Sequence, residues 1–262
     1  MLPWAHLALI SALMVLGIIE YCALTKKSGI PIQSIWTISL STIFAASLFY
    51  FFLNGAKIIP AWADLLFVFL AIVGTLTLQL RNPIKGHISL LAFITSLFGL
   101  LWIPWLFSFT ARIDFVAPGT AQLPGAPMLL WCLAVTKFSD MGAYITGSLI
   151  GKNKMIPHVS PGKTWEGFAG GIIFPQLVAI ALFLFMPGTS ALFHHSWWHV
   201  TALALLVSLL AVIGDLAESL WKRSLDVKDS GHFLPGIGGA LDLIDSLCFT
   251  APVVYFYLIF TH

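Results

Sequence analysis

The chain has 262 residues, 59% of them hydrophobic and only 9% charged, with a mean hydropathy of +0.95. A soluble domain carries about a quarter of its residues as charges, so this composition excludes a soluble globular protein and assigns the chain to the lipid bilayer. A net charge of +2 with no basic arm excludes a nucleic-acid binder.

Apolar runs of about 20 residues can span a bilayer as helices. Eight are present, at roughly 4–24, 34–53, 61–80, 88–110, 127–150, 168–187, 199–220 and 243–261. The expected fold is all-α, a polytopic integral membrane protein of about eight transmembrane helices. Turn-forming residues separate the runs at Ser28-Gly29 with Pro31, Asn54-Gly55, Asn82-Pro83 and Pro118-Gly119. Pro104 and Pro175 fall inside runs and are expected to kink them. The first run lacks the positive flank of a secretory signal and reads as a retained membrane helix. Cys22, Cys132 and Cys248 lie in separate apolar runs with no metal-ligand spacing, as small buried hydrophobes do.

Lysine and arginine counts set the expected orientation. The odd-numbered loops hold Lys26, Lys27, Arg81, Lys85, Lys152, Lys154, Lys163, Lys222, Arg223 and Lys228, whereas the even-numbered loops hold only Lys57 and Arg112. The odd loops are therefore expected in the cytoplasm and both termini outside. Charge also divides the chain, with nine charged residues in 1–136 and fifteen in 137–245. One integral domain is expected, in two parts. Residues 1–126 form a scaffold or lipid-facing set of helices, and residues 127–262 form catalytic helices with cytoplasmic loops.

In chain order, the first polar feature of the second part is Lys137 with Asp140, at i, i+3 inside an apolar run. That pair is either a structural ion pair or the lining of a polar cavity. The small residues Gly142 and Ala143 follow and permit close helix contact. The loop GKNKMIPHVSPGKTWEGFAGG, 151–171, comes next. Its Pro161-Gly162-Lys163-Thr164 is no phosphate loop of the Walker type, because Pro157 stands where that pattern needs glycine and no strand is expected before it. Its hydroxyls and lysines still suit phosphate or anionic headgroups, which makes Ser160, Lys163 and Thr164 candidate substrate-binding residues. His194, His195 and His199 lie beside Trp197 and Trp198. They suggest either a metal site or, more simply, an aromatic belt at the membrane interface.

The densest polar stretch is SLWKRSLDVKDSGHFLPGIGGALDLIDS, 219–246. Just ahead of it Asp215 begins a helical face shared with Glu218, Ser219 and Lys222. Beyond it, Asp242 and Asp245 are spaced i, i+3 at the start of the last run. Asp215, Asp242 and Asp245 thus lie near one membrane boundary, as carboxylates for a magnesium ion would. Lys222, Arg223 and Lys228 suit a triphosphate. Gly231, Gly236, Gly238 and Gly239 would let backbone N–H groups approach phosphate oxygens. A salt-bridged interhelical loop is the plainer alternative.

This segment resembles the phosphatidate cytidylyltransferase (CDP-diacylglycerol synthase) family motif, S-x-x-K-R-x-x-x-x-K-D-x-G followed by P-x-H-G-G-x-x-D-R-x-D. Ser219, Lys222, Arg223, Lys228, Asp229, Gly231, Pro235, Gly238, Gly239, Asp242 and Asp245 match, whereas Ile237 and Leu243 replace the usual histidine and arginine. The segments Ser160–Gly167 and Asp140–Gly147 are similar to that family as well. The resemblance covers the C-terminal half. It implies cytidylyl transfer from CTP to phosphatidic acid, giving CDP-diacylglycerol and pyrophosphate. Catalytic roles would fall to Asp215, Lys222, Arg223, Lys228, Asp229 and Asp242. Substrate binding would fall to Ser160, Lys163, Thr164, Ser219, Gly238 and Gly239. Asp215, Asp242 and Asp245 would hold Mg²⁺, with room for a second metal or a monovalent cation. The partners would be CTP, phosphatidic acid and the bilayer, with a homodimer compatible and no nucleic acid. The alternatives are a related CTP-dependent lipid transferase or kinase, and a transporter. The transporter lacks the internal repeat that such folds often show.

Overall fold

This computed structural model describes residues 3–81, 83–84, 86–116, 125–186, 188–227, 231 and 238–261. Nearly all of them are helical. The helices are α1 (Pro3–Lys27), α2 (Ser34–Leu53), α3 (Ala61–Leu80), α4 (His87–Leu100), α5 (Leu106–Phe115), α6 (Ala126–Ile150), α7 (Trp165–Phe185), a short α8 (Thr189–Leu192), α9 (Trp197–Ser224) and α10 (Ala240–Thr261). A helical backbone satisfies its own N–H and C=O groups, which hydrocarbon cannot do.

Among the described residues, seven helical segments are long and apolar enough to cross a membrane, with α4 and α5 forming one continuous span from His87 to Phe115. The 25-residue α6 is long enough to be an eighth and carries Lys137 and Asp140 in its middle. The chain is a polytopic integral membrane protein. Between α4 and α5 the backbone widens into a π-helical turn, Leu101–Trp105, around Pro104. Proline has no N–H to donate, and the wider turn absorbs the missing bond within the span. Pro175, by contrast, leaves α7 as one uninterrupted helix.

One addition to the all-helical expectation precedes α7. The loop after α6 is a small antiparallel hairpin of β1 (Lys154–Ile156) and β2 (Ser160–Thr164), and β2 runs directly into α7.

The described residues divide into two compact units, one of 1–112 with 224–244 and one of 113–223 with 245–262. In the first, α1 packs on α2 and α3 on α4. The Tyr21 hydroxyl donates to Thr95 O at 2.9 Å, and Phe44 stacks on Phe67 with ring centroids 4.1 Å apart. Arg112 forms a two-point ion pair with Asp64, both N–O distances being 2.6 Å.

The second unit is organised by the packing of α6 against α7. Small residues bring these backbones together: a Cβ on Gly142 would lie 2.6 Å from Gly170 O, and a Cβ on Gly167 2.8 Å from Ala143 O. Such close approach is how membrane helices associate where burial of apolar surface gives no drive. The Ser139 hydroxyl reinforces it by donating to Gly171 O at 2.7 Å.

Candidate functional site

Within the second unit, polar side chains from α6, β2, α9 and α10 gather around α9. Gly214 sits where any side chain would press on Ser246 and Phe249, so α9 and α10 approach closely there. That contact brings the next residue of α9, Asp215, near Asp245 of α10. Carboxylate oxygens of Asp215, Glu218 and Asp245 all lie within 4.8 Å of one another. Glu218 is 2% exposed and Asp245 5%, so two of the three acids are buried.

Three acids this close repel one another unless cations lie between them. The protein supplies two. Lys163 of β2 places its Nζ 2.8 Å from Asp215 Oδ2, and Lys222 sits 2.9 Å from Glu218 one helical turn along α9. Asp245 is held from its own backbone, its Oδ1 accepting from Ser246 N at 2.5 Å and from the Ser246 hydroxyl at 3.0 Å. The donor set is all oxygen, which fits a hard divalent cation such as Mg²⁺.

A cavity of about 310 Å³ adjoins this cluster, with Asp140, Gly162, Lys163, Thr164 and Asp215 among its lining residues. Asp140 satisfies both readings of its sequence position. It lies 3.7 Å from Lys137 and it faces the cavity. The floor where β2 meets α7 is set by capping. Thr164 Oγ1 accepts from Gly167 N at 3.1 Å, and the Glu166 carboxylate accepts from Asn153 Nδ2 at 2.7 Å and from the Lys152 and Asn153 amides. Thr164, expected to bind phosphate, is 4% exposed and acts as the N-cap of α7. Ser160 is half-buried in the hairpin, opposite Ile156.

Of the expected metal residues, Asp215 and Asp245 meet within the second unit, and the third acid beside them is Glu218. Asp242 belongs to the first unit, where its Oδ2 accepts from Gly239 N at 2.9 Å. The turn it closes needs glycine, since Gly238 has φ +104°. Ser219 is half-buried and Arg223 exposed on the last turns of α9. Lys228, Asp229, Pro235 and Ile237 lie outside the described residues.

Two acids carry no site role in the sequence reading. Glu218 is legible on the Asp215 face by its i, i+3 spacing, without a metal-binding role. Glu20 gave a weaker signal, as the only acid in the first apolar run. Its Oε2 accepts from Leu241 N at 2.9 Å, at the start of α10, and its Oε1 lies where a side chain on Gly231 would meet it. Among the described residues, the histidines join no group of three metal-ligating side chains. His199 Nδ1 pairs with the Tyr257 hydroxyl at 2.9 Å, while Trp197 and Trp198 are exposed and stacked at 3.9 Å, as an interfacial belt requires.

Comparison with known proteins gives this site a context. The chain is 31% identical over 256 residues, 97% of its length, to the uncharacterized protein YnbB of Escherichia coli (strain K12), covering 79% of that protein. It is 41% identical over 147 residues, 56% of its length, to the phosphatidate cytidylyltransferase of Staphylococcus saprophyticus. It is 39% identical over 135 residues, 52% of its length, to that of Staphylococcus aureus (strain COL). The chain spans about half the length of these two enzymes, 55% and 50% respectively. The profile of the Cytidylyltransferase family matches residues 1–261, end to end across both compact units, and to that family the chain belongs.

Proposed function

We propose that the protein transfers the cytidylyl group of CTP to the phosphate of phosphatidic acid, giving CDP-diacylglycerol and pyrophosphate. The observation that carries this reading is the Lys163–Asp215 pair, which lines a cavity of about 310 Å³ beside a three-carboxylate cluster. Family membership and the staphylococcal relatives name the same reaction class.

The chemistry joins two anions. A phosphate oxygen of phosphatidic acid attacks the α-phosphorus of CTP, the bond to the bridging oxygen breaks, and pyrophosphate leaves with that electron pair. Such transfers need charge neutralisation and in-line positioning more than covalent help from the protein. Asp215, Glu218 and Asp245 would hold Mg²⁺, which when bound supplies positive charge to the phosphate oxygens. Lys163 and Lys222 hold the carboxylates and are placed to exchange them for phosphate oxygens. The family resemblance gives Arg223, Lys228 and Asp229 parts in binding the triphosphate. Ser160 and Ser219 offer hydroxyls to substrate phosphate, and Thr164 fixes the hairpin on α7. Asp242 orders the Gly238–Gly239 turn through Gly239 N, and the family resemblance gives both glycines parts in substrate binding. With the lysine-rich loops in the cytoplasm and both termini outside, CTP arrives from water and phosphatidic acid from the bilayer.

The test uses purified protein with CTP, Mg²⁺ and phosphatidic acid, followed by pyrophosphate release and lipid analysis. Cytidine-bearing lipid formed by wild type and lost in Asp215→Asn supports the reading. Release of CDP with phosphorylation of a lipid alcohol would replace it with the kinase alternative.

A further inference from the structure

A second cavity, of about 920 Å³, lies wholly in the first unit, where the ends of α1 and α3 meet the beginnings of α2 and α4. Its size is at the upper end of the range for small-molecule sites. Lys26 and Arg81 stand among its lining residues, both exposed, and among the described residues no carboxylate lines it. The first turn of α2 adds partial positive charge, since no side chain caps that helix.

Behind the cations the wall is built rather than incidental. Gln33 N donates to the Ser96 hydroxyl at 2.9 Å, and Gln33 Nε2 reaches Thr75 O at 3.1 Å and Gln79 Oε1 at 3.2 Å. Trp36 is fixed by its Nε1 bond to Thr75 Oγ1 at 3.2 Å, and its ring fills the space left by Gly74. The outer lip is hydrocarbon, with Ile35 86% exposed and Ile88 43%. A soluble phosphate would have no use for that lip. A lipid would, with its headgroup at the cations and its acyl chain along Ile35 and Trp36.

We propose that this cleft, which shares no described lining residue with the cavity beside the carboxylate cluster, is a binding site for an anionic glycerophospholipid taken from the bilayer. Basic pockets at the cytoplasmic ends of membrane helices hold anionic headgroups by this combination of charge and apolar wall. The site does not depend on the proposed reaction, and its occupancy is measured without CTP.

The experiment places the full-length protein in phosphatidylcholine nanodiscs containing small fractions of lipid with brominated acyl chains, which quench nearby tryptophan. The difference between wild type and Trp36→Phe isolates the signal of Trp36. Brominated phosphatidylglycerol should quench Trp36 at a mole fraction roughly 30-fold lower than brominated phosphatidylcholine, from two cations acting on one headgroup. Lys26→Gln with Arg81→Gln should bring the two lipids to parity. Lys26→Gln alone should reduce the preference to roughly fivefold, which keeps the test open if the double variant folds poorly. Asp215→Asn should leave the preference intact. Equal quenching by both lipids in wild type, or a preference that survives both neutralisations, would overturn the proposal. So would displacement by soluble glycerol phosphate, which would assign the cleft to a water-borne ligand.

Discussion

Lys163 and Asp215 meet at 2.8 Å, joining the β-hairpin after α6 to the polar end of α9. This pair makes the hairpin part of the carboxylate cluster rather than a connector, and it predicts that the two residues fail together. Lys163→Met should lower turnover about 10²- to 10³-fold, the usual range for removing one stabilising contact to developing charge. Lys163→Arg should recover part of that. The double variant Lys163→Met with Asp215→Asn should be far less than additive in its loss. Pyrophosphate release under saturating CTP measures all of them.

The three-acid cluster predicts a metal effect that needs no substrate. Adding Mg²⁺ to metal-free protein should raise its melting temperature. The gain corresponds to about 2.7 kcal/mol when the ion is at 100 times its dissociation constant. Glu218→Gln and Asp245→Asn should each weaken that response, because their oxygens lie in the set within 4.8 Å. Asp242→Asn should weaken it least, its carboxylate being engaged with Gly239 N. A thermal-shift titration of the four proteins checks the ranking. An equal response in all of them would remove the cluster as the ion site.

Much of this was legible in the sequence because lipid imposes simple rules. Among the described residues, seven apolar helical segments long enough to span a membrane fall where the apolar runs lie, and the acids of α9 were readable from helical spacing. Pairings across long sequence separations were not. Lys163 reads as a phosphate-binding loop lysine, and only the fold shows its pairing with Asp215, 52 positions away in the chain. Thr164 reads as a phosphate ligand because its hydroxyl sits beside Gly162 and Lys163, and only the fold shows that its oxygen also caps the start of α7. The hairpin itself is too short and too polar to show strand alternation.

Glu20 is the clearest case of a residue whose meaning depends on the fold. Its partner Leu241 N is 221 positions away. Glu20→Ala would leave the Leu241 amide without its acceptor at the head of the helix that carries Asp242 and, one turn on, Asp245. An unsatisfied amide of this kind costs about 1–3 kcal/mol. Glu20→Ala is expected to reduce turnover about tenfold or more. Glu20→Gln keeps an acceptor oxygen and should recover most of it. Loss of activity in both variants to the same degree would mean that the charge, not the hydrogen bond, is what matters.

The Arg112–Asp64 pair sets an asymmetric prediction for stability. Arg112 is 4% exposed and Asp64 25%, so the two are not equally able to stand alone. Asp64→Leu strands a buried guanidinium, which keeps the Phe109 ring, its centroid 4.6 Å from Cζ. The expected loss is about 3–5 kcal/mol, the range for breaking a buried pair from one side. Arg112→Met strands a carboxylate that reaches solvent more easily, and should cost less. The double variant Asp64→Leu with Arg112→Met removes both charges and should be more stable than Asp64→Leu alone, because no unpaired ion remains. Thermal unfolding of the three variants in one detergent orders them. If Arg112→Met proved the most damaging, the stability would reside in the packing of the arginine stem against its neighbours rather than in the ion pair.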